Sequence, residues 1–132
     1  MKQIEIGAIW SMEVENLERF KPELNKPFSI LIDIELGIKG KQGKDDFRFT
    51  LANPSGLKEM MEREIQNDVS KNSALNNYNV LCIEQYSYEG LIDLLNKLFE
   101  EIDTSGSWKY IAKQLNQIMY WEYEREELQK YK

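Results

Sequence analysis

The hydrophobic residues of this chain follow a period of two in its first part and a helical period in its last part. The alternation is most regular over residues 28–38, where Ser29, Asp33 and Glu35 lie opposite an apolar face. That face consists of Phe28, Ile30, Ile32, Ile34, Leu36 and Ile38. Successive side chains of a strand point to opposite sides, so the pattern predicts a β-strand with one solvated face.

Two more segments alternate and extend the predicted sheet. One, over residues 4–10, places on a single face Ile4, Ile6, Ala8 and Trp10. In the other, Arg48 and Thr50 alternate with Phe47, Phe49 and Leu51. The Gly- and Lys-rich residues 37–44 predict a long hairpin loop in which glycine permits positive φ. Residues 11–27, with Pro22 and Pro27, predict an irregular connection with a helical turn near residues 15–20.

Three segments predict helices, each with its own start signal. Asn53 suits an N-cap and Pro54 a first helical position, and Ser87 and Ser107 are N-cap candidates for the next two helices. The first apolar stripe is Leu57, Met60, Met61 and Ile65; the second is Leu91, Ile92, Leu94, Leu95, Leu98, Phe99 and Ile102; the third is Trp108, Ile111, Ala112, Leu115, Ile118 and Met119. Before the second helix, the apolar run at residues 80–83 predicts a short strand covered on both faces.

The predicted order, β-β-β-α-β-α-α, is an α+β fold with a mainly antiparallel sheet of about four strands packed against three helices. A length of 132 residues suits a single domain over residues 1–132. Hydrophobic residues make up 42% and charged residues 30% of the chain, as in average soluble proteins. We find no secretory signal and no apolar run of membrane-spanning length, and a single cysteine cannot form an internal disulfide. We therefore expect a cytoplasmic protein with no membrane contact.

Negative charge is concentrated in the second half of the chain. The net charge is −6, and residues 84–127 contain ten acidic and four basic side chains. Phosphate backbones would be repelled by such a segment, whereas a basic protein would be attracted to it. We expect a protein partner with a basic face and no direct binding of nucleic acid.

The residue types that most enzymes need are missing. There is no histidine, which excludes Ser-His-Asp and Cys-His catalysis, and one cysteine cannot build a zinc site of the usual kind. The glycine loop is no phosphate-binding loop, because Asp45 follows Lys44 where Ser or Thr is required and because the loop joins two strands. Cys82 is expected to be a core thiol. Carboxylate pairs are the remaining catalytic material, and on a surface they are usually just charge. We expect no catalytic activity, no cofactor and no metal.

The strongest candidate for partner binding is the segment formed by Trp121, Glu122, Tyr123 and Glu124. Tryptophan and tyrosine are frequent interface anchors, and the carboxylates beside them would suit a basic partner. A continued third helix would turn Trp121 away from the apolar stripe, whereas a chain that straightens after Met119 would place Trp121 and Tyr123 on one side. The sequence supports equally a role for these aromatics in closing the core, and the two roles are compatible.

Several motifs together resemble the immunity protein 8 family of bacterial polymorphic toxin systems. The resemblance covers most of the chain: the glycine loop and F-x-F strand of residues 36–49, Asn53-Pro54 with Leu57, Trp108–Leu115, and residues 121–124, which are similar to the family's W-E-[FY]-E ending. Residues 71–79 and 125–132 lie outside the shared pattern. The resemblance implies a small α+β antitoxin, encoded beside its toxin, that binds and blocks it in the producing cell. We therefore expect an inhibitor that occludes a toxin with a basic substrate-binding face, such as a nuclease; the alternative is an acidic adaptor or scaffold without a toxin partner.

Overall fold

The computed structural model describes the backbone of residues 2–67 and 79–123 and the side chains of residues 2–63 and 79–123. It contains the strands β1 (Ile4–Trp10), β2 (Ser29–Ile38), β3 (Asp45–Ala52), β4 (Val80–Cys82) and β5 (Tyr120–Trp121). The helices are α1 (Pro54–Asn67), α2 (Tyr88–Glu100) and α3 (Trp108–Leu115). The α+β class and the predicted order are confirmed, and β5 is an addition that the hydrophobic pattern did not predict.

The strands form one mixed sheet in the order β1-β2-β3-β4, with β5 also paired to β3. The pairs β1–β2, β2–β3 and β3–β5 are antiparallel, whereas β3–β4 is parallel. Since β2 pairs along all of β3, both β4 and β5 must use the opposite edge of β3. They divide that edge: β4 pairs with residues 50–52 and β5 with residues 47–48.

Helices α2 and α3 pack against one face of the sheet, which we call the inner face. The buried cluster combines alternate residues of β2 and β3 with one stripe from each of these helices. Its strand members include Ile30, Ile32, Ile34, Leu36, Ile38, Phe47, Phe49 and Leu51, and its helix members are Leu91, Leu95, Phe99, Ile111, Ala112 and Leu115. These are the faces that the periodicity predicted. In α1, Met60 is buried but Met61 is exposed, so the predicted stripe is too wide; the side chain of Ile65 lies outside the described part.

Strand β1 departs from its predicted face halfway along. The β1–β2 register shifts between Ile6 and Ala8, which marks a bulge at Gly7. One inserted residue reverses the alternation, because side chains change face at every residue. Ile6 and Ile9 therefore contact the core, while Trp10 is 41% exposed. The prediction that Ala8 and Trp10 share a face with Ile4 and Ile6 is wrong.

The prediction for β4 is also wrong in one respect. Leu81 packs against the core, whereas Cys82 is exposed. The three residues of β4 pair with β3, and their side chains alternate between the two faces like those of any strand. Cys82 consequently lies opposite the core, and the continuous apolar run does not mark a strand covered on both sides.

The predicted helix starts and the hairpin loop are confirmed. Asn53 Oδ1 accepts hydrogen bonds from the backbone N–H of Gly56 (2.8 Å) and of Phe28 (3.0 Å), so one side chain caps α1 and joins it to β2. Ser87 and Ser107 cap α2 and α3 by accepting from the backbone N–H three residues later, at 2.9 and 3.3 Å. In the loop between β2 and β3, two glycines adopt φ of 85° and 92°. Within the described ranges, none of the helices combines the length and apolarity that crossing a membrane requires.

Candidate functional site

The chain straightens after α3 and does not continue as a helix. Beyond Leu115 a short turn leads into β5, where the Trp121 N–H donates to Asn116 Oδ1 at 2.9 Å. The next residue forms two bonds with β3: the Glu122 N–H donates to the Asp46 carbonyl oxygen (3.1 Å), and the Asp46 N–H donates to Glu122 Oε1 (3.0 Å). The extended interpretation of this segment is therefore the correct one.

Trp121 belongs to the core, where it forms a cluster that we call the indole clasp: Asp45, Phe47, Trp108 and Trp121. Trp121 is 5% exposed, and its ring stacks on Phe47 with centroids 6.4 Å apart and planes 14° apart. Trp108 meets Phe47 edge-on at 6.3 Å. Asp45 Oδ2 accepts hydrogen bonds from Nε1 of Trp108 (2.8 Å) and from Nε1 of Trp121 (3.1 Å). Hydrogen bonds to a carboxylate are stronger than neutral ones, so the clasp fastens the start of α3 and strand β5 to β3.

The four residues predicted as partner contacts thus occupy different places. Trp121 is buried, Glu122 and Tyr123 are exposed, and Glu124 lies outside the described residues. The Tyr123 ring meets Trp121 edge-on at 5.8 Å and leaves much of its surface accessible. The partner-contact role of these residues stays a prediction, which the geometry allows most directly for Glu122 and Tyr123.

A second group of side chains lies on the outer face of the sheet, opposite α2 and α3. Strand pairing places Trp10 beside Asp33, Asp33 beside Arg48, and Arg48 beside Tyr120. Directly paired residues of antiparallel strands share a face, so these four form a continuous line, here the aromatic row. Trp10 and Tyr120 are 41% and 39% exposed. Three strand spacings of about 4.8 Å separate them, or roughly 15 Å.

The centre of the aromatic row is an ion pair. Arg48 Nε donates to Asp33 Oδ1 at 2.8 Å, and Asp33 is only 9% exposed. A carboxylate so far removed from water needs a charged or hydrogen-bonding partner, and Arg48 supplies it. The pair therefore holds the guanidinium in place between the two exposed rings.

Next to the aromatic row lies a row of carboxylates. Glu35 pairs with Asp46 across β2 and β3, and Glu122 reaches Asp46 from the far side through one backbone bond and through its carboxylate, which accepts from the Asp46 N–H. We call these three residues the acidic row. Among the described residues, none of the three forms an ion pair with a cation. They place negative charge on one end of the outer face.

Beyond the acidic row, the stem of Lys44 crosses the sheet. A Cβ atom added to Gly7 would lie 2.3 Å from Lys44 Cδ, and one added to Gly37 would lie 2.9 Å from Lys44 Cγ. The two glycines thus leave the space in which the lysine stem lies. The Lys44 ammonium is 3.7 Å from the Glu5 carboxylate and forms an ion pair with it.

Sequence reasoning missed the aromatic row because its two rings, Trp10 and Tyr120, are placed by pairing between strands that are far apart in the sequence. Trp10 reaches the outer face through the Gly7 bulge, and Tyr120 joins the sheet through the clasp of the following residue. One signal was available: a hairpin centred on the loop between β2 and β3 would set Asp33 opposite Arg48. That pair of opposite charges could have been predicted from the two alternating strands.

Comparison with known proteins adds one finding. A family model described as immunity protein 8 matches residues 4–125, which include every strand and helix of the described structure. No curated protein and no solved structure shows significant similarity to the chain.

Proposed function

Because the chain belongs to the immunity protein 8 family, we propose that it is an immunity protein that binds a toxin domain and occludes its functional surface. The family match over residues 4–125 is the observation that carries this proposal. The site of action is the cytoplasm of the cell that makes both proteins, where an unblocked toxin would do harm. The chain acts by binding and needs no catalysis of its own.

The surface of the protein is suited to such binding. Trp10, Tyr120 and Tyr123 are large exposed side chains, and tryptophan and tyrosine contribute more than most residues to binding energy at interfaces. The core below them is closed by the indole clasp and by the stripes of α2 and α3, so the exposed rings stand on a packed base. Because a rigid base already restricts the motion of these rings, binding loses less conformational entropy.

Charge points to the kind of toxin. With a net charge of −6, and ten acidic against four basic side chains in residues 84–127, the protein would attract a toxin whose functional face is basic. Nucleases need such a face to bind phosphate backbones, so a nuclease domain is the partner that we propose. Inhibition would then combine steric cover with neutralisation of that face.

Protection in cells tests the function directly. The toxin domain encoded beside this chain is expressed from an inducible promoter, with and without the chain at matched levels. We expect growth to be restored by the chain and the two proteins to co-purify in equal amounts. If the folded chain neither protects the cell nor co-purifies, the immunity function is contradicted and the acidic adaptor remains.

The electrostatic part of the proposal has its own measurement. Long-range attraction acts on the association rate and is screened by salt, since the Debye length falls from about 10 Å at 0.1 M to about 3 Å at 1 M. We expect the association rate to fall about tenfold or more between low and high salt, with a smaller change in dissociation. Glu122→Lys should slow association more than Glu18→Lys, a control that changes net charge equally on an exposed loop residue. Equal association rates at all salt concentrations would contradict electrostatic recognition.

A further inference from the structure

We propose that the toxin docks on the outer face of the sheet, with the aromatic row at the centre of the contact and a basic toxin surface over the acidic row. This inference rests on the proposed function and names the surface that carries it out. It moves the centre of the contact away from Trp121, one of the four residues predicted as partner contacts, because that ring packs in the core.

Charge complementarity selects the occupant of this face. On the outer face, the described strand residues and those directly beside them include five carboxylates and two cations, namely Glu5, Asp33, Glu35, Asp46 and Glu122 with Lys44 and Arg48. Both cations are already paired, Lys44 with Glu5 and Arg48 with Asp33. The charge left over is that of the acidic row, so a partner gains most from this face if it brings lysines or arginines to that end.

The residue types of the aromatic row suit the centre of an interface. Tryptophan, tyrosine and arginine are the three types most enriched among residues that dominate binding energy. Trp10 and Tyr120 flank the Asp33–Arg48 pair, and Asp33 already holds the guanidinium, so less side-chain freedom of the arginine remains to be lost on binding. Burial of the two rings would contribute binding energy, and the neighbouring carboxylates would fix the orientation of a basic partner.

The helical side of the molecule also carries acidic residues, among them Glu89, Asp93 and Glu100 of α2, but its described residues present fewer large exposed rings. Its exposed aromatic residue is Tyr110 of α3, which is 47% exposed and packs over Gly106. The same short helix carries Lys109 and Lys113, and the Tyr110 hydroxyl donates to Asp103 Oδ2 at 3.4 Å. Tyr110 therefore serves as the matched control for Tyr120: both are exposed tyrosines, and they lie on opposite sides of the sheet.

The test measures binding of each variant to the purified toxin domain from the adjacent gene, carrying a substitution that abolishes its toxicity. We expect Trp10→Ala and Tyr120→Ala each to weaken the Kd by about 30-fold, which corresponds to about 2 kcal/mol, whereas Tyr110→Ala stays within threefold. Glu35→Lys should slow association about tenfold and change dissociation less. Trp10→Phe should lie between wild type and Trp10→Ala. Thermal melts of all variants verify that the compared proteins are folded.

The outcomes separate this surface from the function itself. If wild type binds and protects but Trp10→Ala and Tyr120→Ala bind within threefold of it, the outer face is not the docking surface and the immunity function stands. A wild-type chain that does not bind the toxin domain at all contradicts the function. If the chain alone forms a dimer that Trp10→Ala dissociates, a second copy occupies the face, and the docking proposal is overturned.

Discussion

Replacing Trp121 by alanine tests whether the indole clasp is part of the core. The substitution removes a ring that is 5% exposed, stacks on Phe47 and donates to Asp45. Truncation of a buried tryptophan costs about 3 to 5 kcal/mol, and total stabilities of such domains are only about 5 to 15 kcal/mol. In this variant Asp45 still accepts a hydrogen bond from Trp108, so its carboxylate keeps a partner. The cost of the substitution should therefore not exceed about 5 kcal/mol. At roughly 3 to 5 °C per kcal/mol, the melting temperature should fall by on the order of 10 to 20 °C.

Two companion variants divide the effect, and all are measured by thermal and chemical denaturation together with toxin affinity. Trp121→Phe keeps a smaller ring against Phe47 but loses the indole N–H and some buried volume, so we expect a cost of about 1 to 3 kcal/mol. Tyr123→Ala removes the edge-on contact with Trp121 from a ring that is 40% exposed, and should cost about 0.5 to 1.5 kcal/mol. Toxin affinity of the folded fraction of Trp121→Ala should stay close to that of wild type. If the melting temperature of Trp121→Ala falls by less than about 3 °C, or if the variant loses much of its toxin affinity without losing stability, this account of Trp121 is refuted.

Three further predictions concern sites away from the clasp. Gly56→Ala should destabilise the protein by about 1 to 3 kcal/mol, although alanine favours helices, because the new Cβ would lie 1.9 Å from the Phe28 carbonyl oxygen. Chemical denaturation measures the change in the free energy of unfolding, and a gain in stability would contradict the close approach. Burial raises the pKa of Tyr86 to about 12, with the charge of nearby Tyr88 as a smaller cause, so the folded state holds this proton more tightly than the unfolded state. The free energy of unfolding should therefore fall as the pH rises from about 10 toward 12, and it should fall less in Tyr86→Phe. Equal pH curves for the two proteins would contradict this prediction. Cys82 should react stoichiometrically with a maleimide in the native protein, and labelling only after denaturation would show that its thiol is covered.

The sequence alone determined most of the local structure and the composition of the core. The faces of β2, β3, α2 and α3 follow from periods of 2 and 3.6, because a residue's side of a strand or helix depends only on its position in the repeat. Helix starts at Asn53, Ser87 and Ser107 were equally readable, since a cap acts on backbone groups two or three residues away. The order of family-like motifs, from the glycine loop to residues 121–124, was visible in the sequence and agrees with the family match.

Tertiary structure decided which residues the surface presents. A single bulge at Gly7 moved Trp10 from the core to the outer face, and edge pairing left Cys82 exposed. The opposite happened to Trp121, whose burial depends on Asp45, more than seventy positions earlier. Local periodicity contains no information about such partners, because the free energy of these contacts arises only when distant strands meet. The core could therefore be predicted from repeats along the chain, whereas the candidate site, which several strands build side by side, could not.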